Sequence, residues 1–262
     1  MEVKEVLQVV TVQVDLVWED ISANIINIST HIESLPKGID LIVLPEMFST
    51  GFSMQPQLFA ETMDGLATNA LKNWSEKTSA AICGSFMYKE NGKYFNRFVW
   101  FEPNGKCIWY DKAHLFRMGE EQLHYTAGNE RVIIHYKGWK IAPFICYDLR
   151  FPVWIRKTST FDYDLLIFVA NWPHKRVKHW DLLAYARAIE NQSYLIAVNR
   201  VGEDGNGIGH SGHSKVVDPL GELLYLGEHV EECKVISINY NHLSQYRNSF
   251  PVGLDADKFE LS

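Results

Sequence analysis

Three residues of this chain are suited to covalent chemistry: a cysteine, a glutamate and a lysine, each closing a largely apolar run. Trp139-Lys-Ile-Ala-Pro-Phe-Ile-Cys146 reads as a buried strand that ends in the turn Tyr147-Asp-Leu-Arg-Phe-Pro152. Pro152 suits the first turn of a helix over Val153, Trp154 and Ile155. A cysteine on such a strand-to-helix turn is presented as a nucleophile beside backbone N–H donors. An isolated buried thiol is more often inert packing, so its surroundings must decide. Glu46 ends the run Asp40-Leu-Ile-Val-Leu-Pro-Glu46, and Lys112 ends Lys106-Cys-Ile-Trp-Tyr-Asp-Lys112. Separately these are ordinary surface types. A carboxylate, an ammonium and a thiol on three strand ends are informative together.

Periodicity supplies the scaffold for these three ends. Leu7 to Val14 is β-branched and reads as a strand, and Ile21, Ile25, Ile28, Ile32 and Leu35 share one face of a helix over 20–35 that Gly38 closes. The continuous apolar run before Glu46 fits a strand covered on both faces. A helix over 66–77 precedes strands at 81–88, 94–101 and 106–112, joined by the turn signals Asn91-Gly92 and Asn104-Gly105. A polar loop spans 115–129. The order then repeats: a strand at 132–136, the Cys146 strand, a short helix, a strand at 164–171, a helix at 179–192 and a strand at 194–199. A hairpin at 215–225 and an alternating strand at 233–240 complete it. Two β-α-β-α-β halves ending in antiparallel hairpins predict an α/β fold, a four-layer α-β-β-α sandwich of two mixed sheets. Residues 1–262 read as a single domain, with 243–262 as a C-terminal arm of weak periodicity.

Composition narrows the function. With 262 residues and 47% apolar content the chain can bury one full core. A formal charge of −7 disfavours a nucleic-acid partner, and no apolar run is long enough to span a membrane. The basic-then-apolar start of a signal peptide is missing, so a cytoplasmic protein is expected. Cys83, Cys107, Cys146 and Cys233 are scattered without a C-x-x-C pair, which suits reduced thiols. His174 with His179, and His210 with His213, lack the spacing of a zinc site, so no metal or cofactor is expected. The glycines at 202, 205, 207, 209 and 212 lack a strand-then-helix context and read as a flexible turn.

On these motifs the chain resembles the nitrilase superfamily of carbon-nitrogen hydrolases over Leu7 to about Tyr240. The resemblance implies a Glu46, Lys112 and Cys146 triad in that chain order. Arg117-Met-Gly-Glu-Glu121, followed by Gly128, is similar to the family loop with a second glutamate; this falls on Glu121, with Glu120 as the adjacent alternative. Val169-Ala-Asn-Trp-Pro173, Ala186 to Asn191, Asn199-Arg-Val-Gly202 and Asp148-Leu-Arg-Phe-Pro152 together are most similar to the omega-amidase branch. That branch hydrolyses the terminal amide of 2-oxo acid monoamides such as 2-oxoglutaramate and 2-oxosuccinamate. Related amidases and N-carbamoyl hydrolases share the triad, and a binding module without turnover is the non-enzyme alternative.

The chemistry explains these residue types. An amide is a poor electrophile, and a thiolate splits its hydrolysis into two easier steps through a thioester. Cys146 supplies the sulfur, Glu46 takes and returns its proton, and Lys112 with the N–H after Cys146 stabilises the oxyanion. Glu121 orients Lys112 or the substrate amide. A 2-oxo acid carries a carboxylate, for which Arg117, Arg150 and Arg176 are candidate partners. Phe116, Tyr147, Phe151, Asn171 and Trp172 are candidates to line the pocket. The resemblance also implies a homodimer or higher homo-oligomer, pairing across helices that carry Trp154 or Trp180.

Overall fold

The computed structural model describes residues 2–261. Its elements in chain order are β1 (Val6–Gln13), α1 (Ile21–Glu33), β2 (Leu41–Val43), α2 (Pro56–Phe59), α3 (Leu66–Thr78), β3 (Ala81–Glu90), β4 (Lys93–Phe101), β5 (Cys107–Asp111) and α4 (Glu121–His124). The second half holds β6 (Ile134–Tyr136), β7 (Trp139–Ile145), α5 (Pro152–Ile155), β8 (Leu165–Ala170), α6 (Val177–Asn191), β9 (Tyr194–Asn199), β10 (Val201–Glu203), β11 (Gly209–Ser211), β12 (Lys215–Val217), β13 (Leu223–Leu226), β14 (Glu232–Asn239) and α7 (Tyr240–Ser249). Two six-stranded mixed sheets result, ordered β14-β1-β2-β3-β4-β5 and β13-β12-β9-β8-β7-β6. This is the expected α-β-β-α sandwich.

Strand periodicity sorts the side chains between layers. Leu7, Val9, Leu41, Val43, Ala81 and Cys83 share a core with the second sheet, whereas Val10, Val12, Ile42 and Ile82 pack with Ile28 and Ile32 of α1 and Leu71 and Trp74 of α3. Across the sheets, Trp100 meets Tyr136 edge-on at 5.3 Å and Tyr110 meets Phe144 at 5.8 Å. On the far side Trp180, Ala184 and Ala188 of α6 cover the second sheet.

Several details depart from the sequence reading. The last strand does not complete the second half; β14 runs antiparallel to β1 and closes the first sheet. The glycine-rich stretch is a short hairpin, β10 against β11, not a flexible turn. Alternation over three-residue strands is too brief to read through the glycines. The polar loop at 115–129 holds a 3-10 turn over Arg117–Gly119 and then α4. Past Leu243 the chain is helical through Ser249, and Arg247 there binds Asp164 and the carbonyls of Tyr163 and Gln192. Trp180 is buried and donates to the His213 carbonyl, so its ring packs in the chain's own core, while Leu182 and Ile189 on the same helix are exposed. No helix among the described residues is long and apolar enough to cross a membrane.

Candidate active site

Parallel pairing of β1, β2 and β3 in one sheet and β7, β8 and β9 in the other brings their C-terminal ends to one edge of the sandwich. Glu46 lies on the turn after β2, held where the Met47 N–H donates to Ser85 Oγ and the Phe48 N–H to the Ser85 carbonyl. Lys112 follows β5, its own carbonyl accepting from the Gly128 N–H. Gly128 must be glycine here: a Cβ would lie 2.2 Å from the Asp111 carbonyl oxygen. Cys146 follows β7 with φ +44, a left-handed conformation that a side chain adopts only when its surroundings impose it.

Asp148 imposes it. Its buried carboxylate accepts from the Ile145 N–H at 3.0 Å and the Tyr110 hydroxyl at 2.8 Å through one oxygen. The other oxygen faces the His114 N–H at 3.0 Å and the His114 ring at 2.8 Å. Tyr110 in turn accepts from the Ala113 N–H and Trp154 Nε1. The residue before the cysteine and the residues flanking Lys112 are therefore tied to one carboxylate. Phe151 stacks on His114 at 3.7 Å and does not line the cavity. Sequence reasoning missed Asp148 as a brace.

At the floor, Lys112 Nζ donates to Glu46 Oε1 at 2.8 Å and to both oxygens of Glu121 at 3.0 and 3.1 Å, all three side chains fully buried. Glu120, by contrast, is exposed. Asn96 of β4 bridges the carboxylates, donating to Glu46 Oε1 and Glu121 Oε1, and the Phe116 N–H donates to Glu121 Oε2. Glu46 Oε2 accepts from the Asn171 N–H at 2.7 Å. Asn96 was also missed; its signal is a polar residue, beside Arg97, in the middle of an aromatic-rich strand.

Electrostatics set the resting state. Burial opposes charge on Lys112, but Glu121 and Glu46 outweigh it and raise the ammonium's pKa. Burial raises Glu121, with Lys112 opposing. Burial also pushes the Cys146 thiol well above its ordinary value, Glu46 adds to this, and Lys112 works against it. A thiolate would put a second net negative charge in a buried cluster that already holds two carboxylates and one ammonium. Passing the thiol proton to Glu46 keeps the cluster's charge constant.

A cavity of about 250 Å³ opens above Cys146, Glu46 and Lys112. It lies below the range of about 300–1,000 Å³ for drug-sized ligands and so fits a small molecule. Phe116, Tyr147, Asn171 and Trp172 line it. Arg150 and Arg176 line it as well, but Arg117 does not: it is exposed outside the cavity, while Phe116 and Met118 on either side reach it. Arg150 lies over the Trp172 ring at 4.7 Å and beside His179 Nδ1 at 3.1 Å; Arg176 lies over the Phe116 ring at 5.3 Å. Neither guanidinium is paired with a carboxylate among the described residues. The β10–β11 hairpin contributes Asp204, Asn206, Ile208 and His210, none of them foreseen.

A buried thiol, two carboxylates and an ammonium thus stand together where parallel strands of the two sheets end. The chain belongs to the carbon-nitrogen hydrolase family, whose model matches residues 8–248. It is 43% identical to Omega-amidase YafV of Escherichia coli over 97% of this chain and 98% of that one. It is also 34% identical to the 2-oxoglutaramate amidase of Bacillus subtilis, over 94% and 96%. Its fold superposes with TM-score 0.97 on XC1258 from Xanthomonas campestris, a CN-hydrolase superfamily protein with an arsenic adduct in the active site. That match is 40% identical and covers 99% of this chain and 100% of the other. The chain is thus an amidohydrolase, in agreement with the resemblance drawn from its motifs.

Proposed function

We propose that this enzyme is an omega-amidase, releasing ammonia from the terminal amide of 2-oxo acid monoamides such as 2-oxoglutaramate and 2-oxosuccinamate. One observation carries the reading: the cavity joins the Cys146, Glu46 and Lys112 floor to two guanidinium groups that have no carboxylate partner among the described residues. Arg150 and Arg176 would bind the substrate carboxylate and leave the far amide over Cys146. Two omega-amidase-type relatives over nearly the whole chain support the same assignment.

In the first half-reaction the Cys146 sulfur attacks the amide carbon as its proton passes to Glu46. The three N–H groups of Lys112 are occupied by Glu46 and Glu121 at rest. Neutralising Glu46 loosens one of these bonds, freeing an N–H for the new oxyanion, which the Tyr147 backbone N–H shares. Asn171 Oδ1, buried without a partner, accepts from the amide nitrogen. Collapse breaks the C–N bond, and ammonia leaves with the proton from Glu46. In the second half-reaction Glu46 takes a proton from water, hydroxide adds to the thioester, and the C–S bond breaks to give the new carboxylic acid, which loses its proton to solvent as the dicarboxylate leaves. The proton on Glu46 then returns to sulfur. Glu121 keeps Lys112 charged and aimed throughout.

Ammonia release from a panel of 2-oxoglutaramate, 2-oxosuccinamate, glutamine, asparagine, a nitrile and an N-carbamoyl amino acid tests the assignment, with Cys146→Ala as control. Preference for the 2-oxo amides is expected. Turnover confined to another member would move the enzyme to a different branch. A cytoplasmic homodimer, with 243–262 as its C-terminal arm, completes the reading; light scattering that gave a monomer mass would remove the dimer.

A further inference from the structure

His210 stands on the β10–β11 hairpin, 7% exposed, and its ring lines the cavity. Its Nδ1 is buried without a hydrogen-bond partner among the described residues, and the Ile208 backbone is the polar group beside the ring. A buried polar ring without a partner is costly unless a ligand completes it. The hairpin holds it firmly. Asp204 Oδ1 accepts from the N–H groups of Asn206 and Ile208, at 2.8 and 3.0 Å. The buried Arg200 donates to Asp15 and to the carbonyls of Leu16, Val201 and Glu203. Gly202 lies so close that a Cβ would meet Asp15 Oδ1 at 2.2 Å.

This inference rests on the omega-amidase reading. Such a substrate has three polar groups: the amide, the carboxylate and the 2-oxo oxygen. The triad with Asn171 serves the first and the guanidiniums serve the second. For the third, a donor is required. Asp204 and the free Asn171 oxygen are acceptors, and Asn206 is exposed. That leaves the Tyr147 hydroxyl and the His210 imidazole as side-chain donors unpaired among the described residues, and of these His210 is the one that burial fixes in place. We infer that His210 is a specificity-determining residue whose imidazole N–H donates a hydrogen bond to the 2-oxo oxygen of the acyl chain. Burial, joined by the charge of Arg200, pushes the imidazole's pKa down to about 4. The ring is therefore neutral near pH 7, a dipole suited to an uncharged carbonyl beside a carboxylate that the arginines neutralise.

The test compares kcat/KM for 2-oxoglutaramate and for glutaramate, the same monoamide with CH2 in place of the 2-oxo carbonyl. His210→Phe keeps the ring's bulk and removes its donor. It should lower kcat/KM on 2-oxoglutaramate by about tenfold or more and leave glutaramate within about twofold. His210→Gln, which restores a donor, should recover part of the loss. Equal loss on both amides, or no loss on either, overturns the assignment. If wild-type enzyme releases ammonia from neither amide, the omega-amidase reading itself fails and takes this one with it. Wild-type activity with an unchanged preference in the variant sinks His210 alone. Circular dichroism checks the fold, and His210→Leu replaces the Phe variant if that one does not fold.

Discussion

Replacing Asp148 by Asn keeps the side chain's shape and removes its charge, and the hydrogen bonds around it dictate the outcome. The new amide nitrogen must take the place of one carboxylate oxygen. In the first position it faces the Ile145 N–H and the Tyr110 hydroxyl; in the second it faces the His114 N–H and ring. Either way a donor opposes a buried backbone N–H, and that N–H is orphaned at a cost of about 1–3 kcal/mol. Against a typical total stability of about 5–15 kcal/mol this is a measurable loss. The strain falls beside Cys146 or two residues from Lys112, where a displacement of about 1 Å lowers turnover about a hundredfold. Urea unfolding followed by tryptophan fluorescence should show the lower midpoint. Steady-state ammonia release should show kcat reduced about tenfold to a hundredfold with KM near the wild-type value, because the arginines are untouched. A wild-type midpoint with kcat within twofold of wild type would refute the bracing role, and a raised KM at unchanged kcat would assign Asp148 to binding instead.

Other substitutions probe separate parts of the site. Cys146→Ala should be folded yet give no turnover and no covalent adduct; substantial residual ammonia release would exclude the thioester route. Glu46→Gln should lower kcat by about 10²–10⁴-fold. Since Glu46 helps to raise the thiol's pKa, the same change should lower it, so the pH profile of Cys146 alkylation, read by peptide mass spectrometry, should move to lower pH. A shift to higher pH would contradict the charge balance drawn for the cluster. Arg150→Ala should raise KM for 2-oxoglutaramate about tenfold to a hundredfold and leave an uncharged amide unaffected; equal effects on both would remove Arg150 as the anion partner. Far from the site, burial raises the Asp40 carboxyl but its bonds to Lys137 and Lys4 outweigh this and hold it below the ordinary value. Its stabilisation is complete above the unfolded pKa of about 3.9 and disappears as pH falls through the lower folded value. The gap in urea midpoint between wild type and Asp40→Asn should therefore narrow from about pH 6 to pH 3, and a constant gap would exclude this linkage.

The reactive ends of β2, β5 and β7 were legible because each lies where a locally encoded apolar run stops, so Glu46, Lys112 and Cys146 stand out along the chain. What escaped depends on residues distant in sequence. Asp148 looks like a turn residue until β5 is laid beside β7 and Tyr110 reaches it. His210 looks like a loop histidine until its hairpin folds over the cavity. Arg117 had the right chemistry and the wrong direction, because the turn over Arg117–Gly119 presents Phe116, Met118 and Gly119 to the cavity and leaves Arg117 outside it. Local pattern reports which segments are buried; it does not report which loops meet above them.

The pairing of β14 with β1 also governs how the chain is made. β1 is synthesised well before β14, so the edge that β14 covers stays open until residues 232–239 have been made. At about 5–20 residues per second that interval is roughly ten to forty seconds. During it a strand rich in valine offers unpaired N–H and C=O groups to any neighbouring chain, the condition that favours edge-to-edge association. A nascent chain stalled before β14 thus leaves this edge open to pairing with another chain.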